Sequence, residues 1–262
     1  WMDAFNGIMQ SCDVYFYEVA RRTGIDRIAA MARRFGFGDV LGLDLPGEKP
    51  GLVPSRKWKK KALNAPWQQG ETVLIGIGQG YLLSTPLQMA VMAARLGNGG
   101  VKVTPRLTRP RLDPELDPFD SIPKGDHDDD PVPESLGLLP AHLELVRQAM
   151  NGVVNNPQGT AFKARIKTKG RQMAGKTGTV QLRRITKVER EEGVRKNKDI
   201  PWRERDHAMF VGFAPIDKPR YAVSVVVEHG GGGSSVAAPI ARDILAEAQR
   251  RNSAKPGILP DG

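Results

Sequence analysis

The stretch GRQMAGKTGT at 170–179 could bind an anionic substrate in two different ways. Its first eight residues, which end at Thr177, complete the Gly-x4-Gly-Lys-Thr pattern of a Walker A phosphate-binding loop. Lys176 also begins the triplet Lys-Thr-Gly, in which an ammonium and a hydroxyl on one strand could hold a carboxylate. The two interpretations require different structures, because a Walker A loop leads into a helix at the lysine whereas the triplet lies on a strand.

The residues on either side of this stretch favour the strand. FKARIKTKG at 162–170 has a Lys or Arg at every second position, where a Walker A loop needs a buried strand. Downstream of the lysine, the residues GTV disfavour a helix and suit a strand. VSVVVE at 223–228 imitates the acidic strand of a nucleotide-binding protein, but apolar strands that end in an acid are common. IGIGQGYL is also not a dinucleotide fingerprint, because Tyr81 takes the place of the third glycine.

On a strand, each residue of the triplet region has a chemical use. The ammonium of Lys176 would attract a substrate carboxylate, and the hydroxyls of Thr177 and Thr179 would hydrogen-bond to it. Gly178 has no side chain, so a substrate backbone could lie alongside it. The amide of Thr179 could also supply half of an oxyanion hole.

A second polar element, Ser11-Cys12-Asp13, lies near the start of the chain. Side chains two positions apart do not share a helix face, so Ser11 and Asp13 can both face a site only from a turn. Both stand where the helical pattern at 14–23 is about to begin, which fits such a turn. The simpler alternative is that this serine only caps the helix.

Hydrophobic periodicity predicts the elements that would carry these residues. A capping box starting at Thr85 opens a helix that ends near 97–100, and its apolar sequence predicts that it is buried. The strand-like runs at 207–214 and 221–228 are predicted to form a hairpin that turns at 215–219. Further helices are predicted at 14–23, 26–35, 141–151 and 238–251, and strands at 172–182, 207–214 and 221–228.

These elements predict one partial domain with two parts. Residues 1–150 form a mainly helical lobe, with an exposed acidic, proline-rich insertion at about 109–140. Residues 151–250 form a sheet with a C-terminal helix, and 251–262 form a tail. The mixed-charge stretch 183–206 is predicted to be a solvated excursion with some helix.

Composition limits the classes of function. With 262 residues and 40% hydrophobic content the chain can bury a core, and its net charge of +10 favours anionic neighbours. Cys12 is the single cysteine, so an internal disulfide is excluded. The four histidines lack metal-site spacing, so no metal site is predicted, and no cofactor is expected. There is no run of 18 apolar residues and no initiator methionine or signal peptide, so the chain is predicted to be a fragment.

Five blocks of sequence occur together and in order: SCDVYFYEVA, IGIGQGYLLSTPLQMA, AGKTGTVQL, HAMFVGFAP and VEHGGGGSSVAAPIARDIL. Through them the chain closely resembles the transpeptidase domain of class B penicillin-binding proteins of the elongation type, over nearly all of residues 3–248. The resemblance is weakest at 109–140 and 183–206. It implies the α+β fold of penicillin-binding proteins and serine β-lactamases, in which an antiparallel sheet is flanked by helices beside an all-helical lobe. The first two, N-terminal strands of that sheet are expected to be missing here.

The resemblance also implies a function, a peptidoglycan D,D-transpeptidase that cross-links stem peptides through a serine acyl-enzyme and binds penicillin as a false substrate. Ser11 would relay a proton to the leaving nitrogen, Asp13 would hold the active-site lysines, and Lys176 would supply the positive field. Thr177 and Thr179 would bind the substrate carboxylate. Many relatives carry asparagine where this chain has Asp13, and the aspartate strengthens charge pairing with lysine but removes a hydrogen-bond donor.

The family's nucleophile lies in a Ser-x-x-Lys at the start of a helix well before the Ser-x-Asp triplet, and only ten residues precede Ser11. The attacking serine is therefore expected to be absent from this chain, and the fragment alone is expected to be inactive. The only Ser-x-x-Lys string, SIPK at 121–124, contains Pro123 and runs into GDHDDDPVP, which argues against a helix. His207 and His229 are interpreted as structural or solvated and are left out of the catalytic set.

The resemblance further implies partners and a location. The expected partners are D-Ala-D-Ala stem peptides, β-lactams, a lipid-linked glycan polymerase and the rod-shape elongation machinery, on the periplasmic side of the bacterial inner membrane. A membrane anchor and a pedestal domain would lie outside the chain. The basic run RKWKKK at 56–61 is interpreted as a solvated loop facing wall polymer or anionic lipid, and no nucleic-acid partner is expected. The alternative from another class is a non-catalytic binding or scaffold protein on the same fold.

Overall fold

A three-stranded antiparallel sheet forms the centre of the structure, a computed structural model that describes residues 2–43, 46–107, 134–183 and 185–253. Its order is β1-β2-β3, with Lys176 opposite Val211 in the first pair of strands. The hairpin turning at 215–219 is confirmed. The strands are β1 (Ala174–Val180), β2 (His207–Ala214) and β3 (Tyr221–Val227), slightly shorter at their ends than the sequence predicted, except for β2.

The helices precede, interrupt and follow the sheet. The predicted capping box of α6 is confirmed, because Thr85 accepts a hydrogen bond from the Gln88 amide and the Gln88 side chain accepts one from the Thr85 amide. This helix is also buried or half-buried beyond Pro86. The helices are α1 (Ala4–Met9), α2 (Asp13–Thr23), α3 (Ile25–Arg34), α4 (Arg56–Leu63), α5 (Gln69–Ile75), α6 (Pro86–Gly97), α7 (Pro140–Asn155), α8 (Lys187–Glu192) and α9 (Ala238–Ser253).

The basic run at 56–61 is a helix, so its interpretation as a solvated loop is wrong. Ser55 accepts a hydrogen bond from the Trp58 amide and caps α4. Lys59 in the middle of the run is only 6% exposed and forms an ion pair with Glu71 of α5. A lysine that finds a carboxylate from another helix can be buried, and the local run of charges does not reveal that partner.

Helices cover both faces of the sheet. Phe210 and Phe213 of β2 are three positions apart and therefore point to opposite faces. Phe210 packs in a buried cluster with Val225 of β3 and Leu245 of α9. Phe213 packs with residues of α6 and α7, among them Leu96 and Met150. α7 ends at Asn155 and so crosses the boundary at 150 that the sequence predicted between the helical lobe and the sheet part.

The helical lobe packs around α2, α3, α5 and α6. A small core is formed by Ala29, Phe37 and Val53, against which the methionines of α6 pack. α1 packs on α7, which in turn packs on β1, so the start of the chain is joined to the sheet. None of the helices in the described ranges is both long enough and apolar enough to cross a membrane.

Three of the predicted features are described to different extents. The stretch 183–206 contains α8 and two short 3-10 turns, as the prediction of an excursion with some helix required. Most of the predicted insertion, together with the SIPK string at 121–124, lies outside the described residues. Most of the predicted tail, from residue 254 onward, also lies outside them.

Candidate active site

Ser11 lies in the tight turn between α1 and α2. Its backbone has a positive φ of 57°, and the next amide, that of Cys12, donates a hydrogen bond back to the Gly7 carbonyl at 2.9 Å. Cys12, and not Ser11, is the N-cap residue of α2. The alternative in which this serine only caps the helix is therefore wrong, and its hydroxyl is left for other contacts.

Lys176 brings the two distant polar elements together. Its ammonium donates hydrogen bonds to the Ser11 hydroxyl at 2.8 Å and to the Thr177 carbonyl at 2.9 Å. Burial lowers the pKa of Lys176 to about 8, and the opposing attraction of the Asp13 carboxylate limits the decrease. The lysine therefore still carries its charge at neutral pH, but it gives up the proton far more readily than an ordinary lysine.

The two threonines of β1 have different neighbours. The Thr177 hydroxyl forms a hydrogen bond of 2.9 Å with the Thr160 hydroxyl, and this bond fixes the orientation of the Thr177 side chain. The Thr179 carbonyl accepts a hydrogen bond of 3.3 Å from the side chain of Gln79, which reaches across from the segment after α5. Thr179 itself is exposed.

The two glycines of the strand differ in how much room the surrounding structure leaves for a side chain. A Cβ atom at Gly175 would lie 2.2 Å from the Phe210 ring and 2.6 Å from the Val211 carbonyl, so packing inside the sheet demands a glycine there. A Cβ atom at Gly178 would meet only Met209, at an ordinary contact distance of 3.4 Å. The interior of the protein therefore does not require Gly178 to lack a side chain.

These residues surround one cleft of about 470 Å³ between the helical lobe and the outer edge of β1. Every site residue predicted from the sequence lines it: Ser11, Asp13, Lys176, Thr177, Gly178 and Thr179. The wall that sequence reasoning missed consists of Phe16, Gly76, Ile77 and Gln79. The available signal for it was the block IGIGQGYL, which contains three of these four residues.

The structure rules out the Walker A interpretation. β1 continues through Lys176 to Val180 and pairs with β2 along its whole length. A phosphate-binding loop would need a helix to begin at this lysine, so that free helix amides face the phosphates. In the described part of the chain, no group of three or more His, Cys, Asp or Glu side chains could hold a metal ion either.

His207 and His229 do not line the cleft, although His207 pairs with Val180, the residue that follows Thr179. The His229 amide donates a hydrogen bond of 2.9 Å to Nδ1 of His207, and its own ring contacts the Arg205 carbonyl and the Trp202 ring. These contacts attach the excursion at 183–206 to the end of β3.

Comparison with known proteins shows which family the chain resembles. Residues 1–246 match the model of the family described as "Penicillin binding protein transpeptidase domain". A curated relative, peptidoglycan D,D-transpeptidase MrdA of Haemophilus influenzae, is 37% identical over 245 residues, which make up 93% of this chain and 36% of the relative. The chain thus spans about a third of the length of the curated relatives it matches.

Solved structures agree with this match. The crystal structure of Pseudomonas aeruginosa PBP2 in complex with WCK 5153 is 39% identical, with a TM-score of 0.74, over 95% of this chain and 49% of that one. The complex between PBP2 and MreC from Helicobacter pylori gives 30% identity and a TM-score of 0.73, over 96% of this chain and 41% of that one. The predicted α+β fold is confirmed.

Proposed function

This chain belongs to the transpeptidase family of penicillin-binding proteins, and we propose that its cleft binds and helps to cleave D-Ala-D-Ala stem peptides in peptidoglycan cross-linking. The observation that carries the proposal is the hydrogen bond between the Lys176 ammonium and the Ser11 hydroxyl, made across 165 residues of sequence. The geometry also supports specific roles for Ser11, Lys176 and the threonines of β1.

In the proposed reaction, a serine hydroxyl attacks the carbonyl of the penultimate D-alanine and the terminal D-alanine leaves with a proton on its nitrogen. The Ser11 oxygen accepts a hydrogen bond from the Lys176 ammonium, so its own proton can point toward the leaving nitrogen. Ser11 would relay to that nitrogen the proton that the attacking serine loses, while the positive charge of Lys176 would favour negative charge that develops nearby. Asp13 keeps Lys176 protonated by attraction.

The substrate would lie along the outer edge of β1. Its terminal carboxylate would be held by the Lys176 charge and by the hydroxyls of Thr177 and Thr179. The Thr179 amide would supply part of the oxyanion hole. Because the interior does not require Gly178 to be a glycine, we assign its missing side chain to the approach of the substrate backbone.

The nucleophile is proposed to be a serine that this sequence does not contain. Ser-x-x-Lys occurs once in the chain, at 121–124, with Pro123 before its lysine. Proline at that position is incompatible with the helix that would place the lysine under the serine. The serine that becomes acylated would then come from a separate segment, and the residues of this chain would assist its acylation.

We also propose the setting of the reaction. An elongation-type enzyme would work on the periplasmic side of the inner membrane, attached to it by a membrane anchor. It would act beside a lipid-linked glycan polymerase and the rod-shape machinery, and the complex of PBP2 with MreC supports the second of these partners. The binding of β-lactams would follow from their likeness to the substrate.

The test is covalent labelling by fluorescent penicillin. We expect the 262-residue chain to remain unlabelled, and a chain with the coding sequence upstream of Trp1 restored to be labelled. In the labelled form, Lys176→Ala and Ser11→Ala should each slow acylation by about a hundredfold, the range for loss of a proton-transfer group. Gly178→Ala should slow it without lowering the melting temperature, whereas Gly175→Ala should lower the melting temperature.

Two outcomes would contradict the proposal. Stoichiometric labelling of the 262-residue chain would place the nucleophile within it. Saturable binding of a D-Ala-D-Ala peptide without any labelling of the extended chain would support a non-catalytic binding protein on the same fold instead.

A further inference from the structure

A second cavity, of about 440 Å³, lies between the C-terminal end of α3, α6 and the segments at 101–104 and 134–136. It shares no lining residue with the cleft that contains Ser11 and Lys176. Its ionisable lining residues are four cations, Arg33, Arg34, Arg95 and Lys102, and two carboxylates, Asp39 and Glu134. The lining therefore has an excess of positive charge.

Arg95 lies at the base of this cavity and is only 5% exposed. Its two terminal nitrogens donate hydrogen bonds to the carbonyls of Arg34 and Val103, at 2.8 and 3.1 Å. Its Nε atom is buried and has no hydrogen-bond partner. Burial lowers the pKa of Arg95, and Glu134 opposes that shift only by attraction at a distance.

A buried cation without a carboxylate beside it is unusual, and this chain offers a direct comparison. Lys59, equally buried at 6% exposure, is ion-paired with Glu71. Among the described residues, Arg95 has carbonyl dipoles as its only hydrogen-bond partners, and these do not cancel a full charge. Gly36 also leaves room for the guanidinium, because a Cβ atom there would lie 3.1 Å from its Nη1 atom.

The other cations leave the cavity incompletely neutralised. The Glu134 carboxylate forms an ion pair with the Lys102 ammonium, with 2.7 Å between Nζ and Oε2. Arg34 donates to the Leu136 carbonyl, and Arg33 donates to the carbonyls of Ala29 and Val53. Both arginines are exposed and have further N–H groups available at the rim.

We propose that this cavity is a binding site for an oxyanion, a phosphate or carboxylate group. Arg95 supplies fixed positive charge at the base, and Arg34 supplies planar N–H donors at the rim, the geometry that suits such groups. The ligand is an oxyanion from a separate molecule, and inorganic phosphate serves as its probe.

The test is calorimetric titration of the chain with inorganic phosphate at constant ionic strength, with chloride as the competing ion. We expect saturable binding that falls by about tenfold or more in Arg34→Gln, which loses N–H donors at the rim, and in Arg95→Met, which loses the positive charge at the base. Lys57→Gln, which removes an exposed cation from α4, should bind phosphate like the original chain. If Arg95→Met fails to fold, the exposed Arg34 still tests the site.

The proposal is overturned if phosphate binds no better than chloride. It is also overturned if Arg34→Gln and Arg95→Met bind phosphate as tightly as the Lys57→Gln control.

Discussion

The ammonium of Lys176 is balanced between two opposing influences. Burial lowers its pKa to about 8, and the Asp13 carboxylate limits the decrease. Below this pKa the lysine is charged and can attract a substrate carboxylate, so carboxylate binding should weaken as the pH rises through about 8. An unfolded lysine keeps its proton to about 10.5, so between these two values unfolding takes up a proton, and the cost of burying the charged Lys176 decreases as the pH rises.

This balance gives a prediction for Asp13→Asn. Removing the carboxylate removes the attraction that favours the charged form, so the pKa of Lys176 should fall further. The pH at which a D-Ala-D-Ala peptide loses half of its affinity should then move below that of the original chain. The measurement is a pH series of peptide binding, together with the NMR titration of the Lys176 side chain.

The matched control is Asp217→Asn, which removes an exposed carboxylate from the turn between β2 and β3. It should leave the midpoint unchanged. A midpoint that stays constant or rises in Asp13→Asn would show that this carboxylate does not act on the lysine.

α4 and α5 are held together by the buried pair of Lys59 and Glu71. Burial alone would raise the pKa of Glu71, but a hydrogen bond from the Gln68 amide and the Lys59 ammonium hold it below its usual range. The pair therefore contributes stability that is lost as the pH falls through the lowered pKa of the carboxyl. Because α5 leads directly into Gly76, Ile77 and Gln79, this pair also supports one wall of the cleft.

We predict that Glu71→Gln lowers the free energy of unfolding by about 3 kcal/mol, because it leaves the Lys59 ammonium buried without a counter-charge. Glutamine can still accept the hydrogen bond from the Gln68 amide, so the capping box of α5 is retained. The measurement is denaturant unfolding at neutral pH. Combining Glu71→Gln with Lys59→Met should recover part of the loss, and a single variant as stable as the original chain would refute the argument.

Local pattern predicted some elements and missed others for physical reasons. α6 was predictable because its start signal, the capping box at Thr85, is contained in four consecutive residues. β2 was predictable because its apolar residues form a strand-like run with clear limits. α4 was missed because five of the six residues at 56–61 are lysine or arginine, a composition that suggests a solvent-exposed loop. Only the distant Glu71 explains why Lys59 is buried.

The meeting of Ser11 and Lys176 is a property of the whole molecule. The resemblance implied that Ser11 and Lys176 act in one site, but the sequence did not show how the chain brings them together. The structure does so through α1, which packs on α7, which packs on β1. The wall around Gln79 and the cavity around Arg95 were not predicted, because each depends on segments that are distant in sequence and that packing alone brings together.

The sheet also determines how the molecule should behave at high concentration. Within the described part of the chain, β3 pairs with β2 on one side, and its other edge carries unpaired backbone groups. α6 and α9 pack on its faces, but a helix on a face does not satisfy the hydrogen bonds of an edge. An open edge of this kind pairs readily with another chain.

We therefore predict that the 262-residue chain self-associates through β3 as its concentration increases. Ala222→Lys places a charge at an exposed position of that strand and should hold the chain in the monomeric state, because lysine on an edge strand opposes pairing between edges. Ala30→Lys adds the same charge at an exposed position of α3 and should not prevent association. Sedimentation velocity over a concentration series distinguishes the two variants. If both variants prevent association equally, net charge and not the strand edge controls solubility. If the original chain stays monomeric and its amides along β3 exchange slowly, the edge is protected and the prediction is wrong.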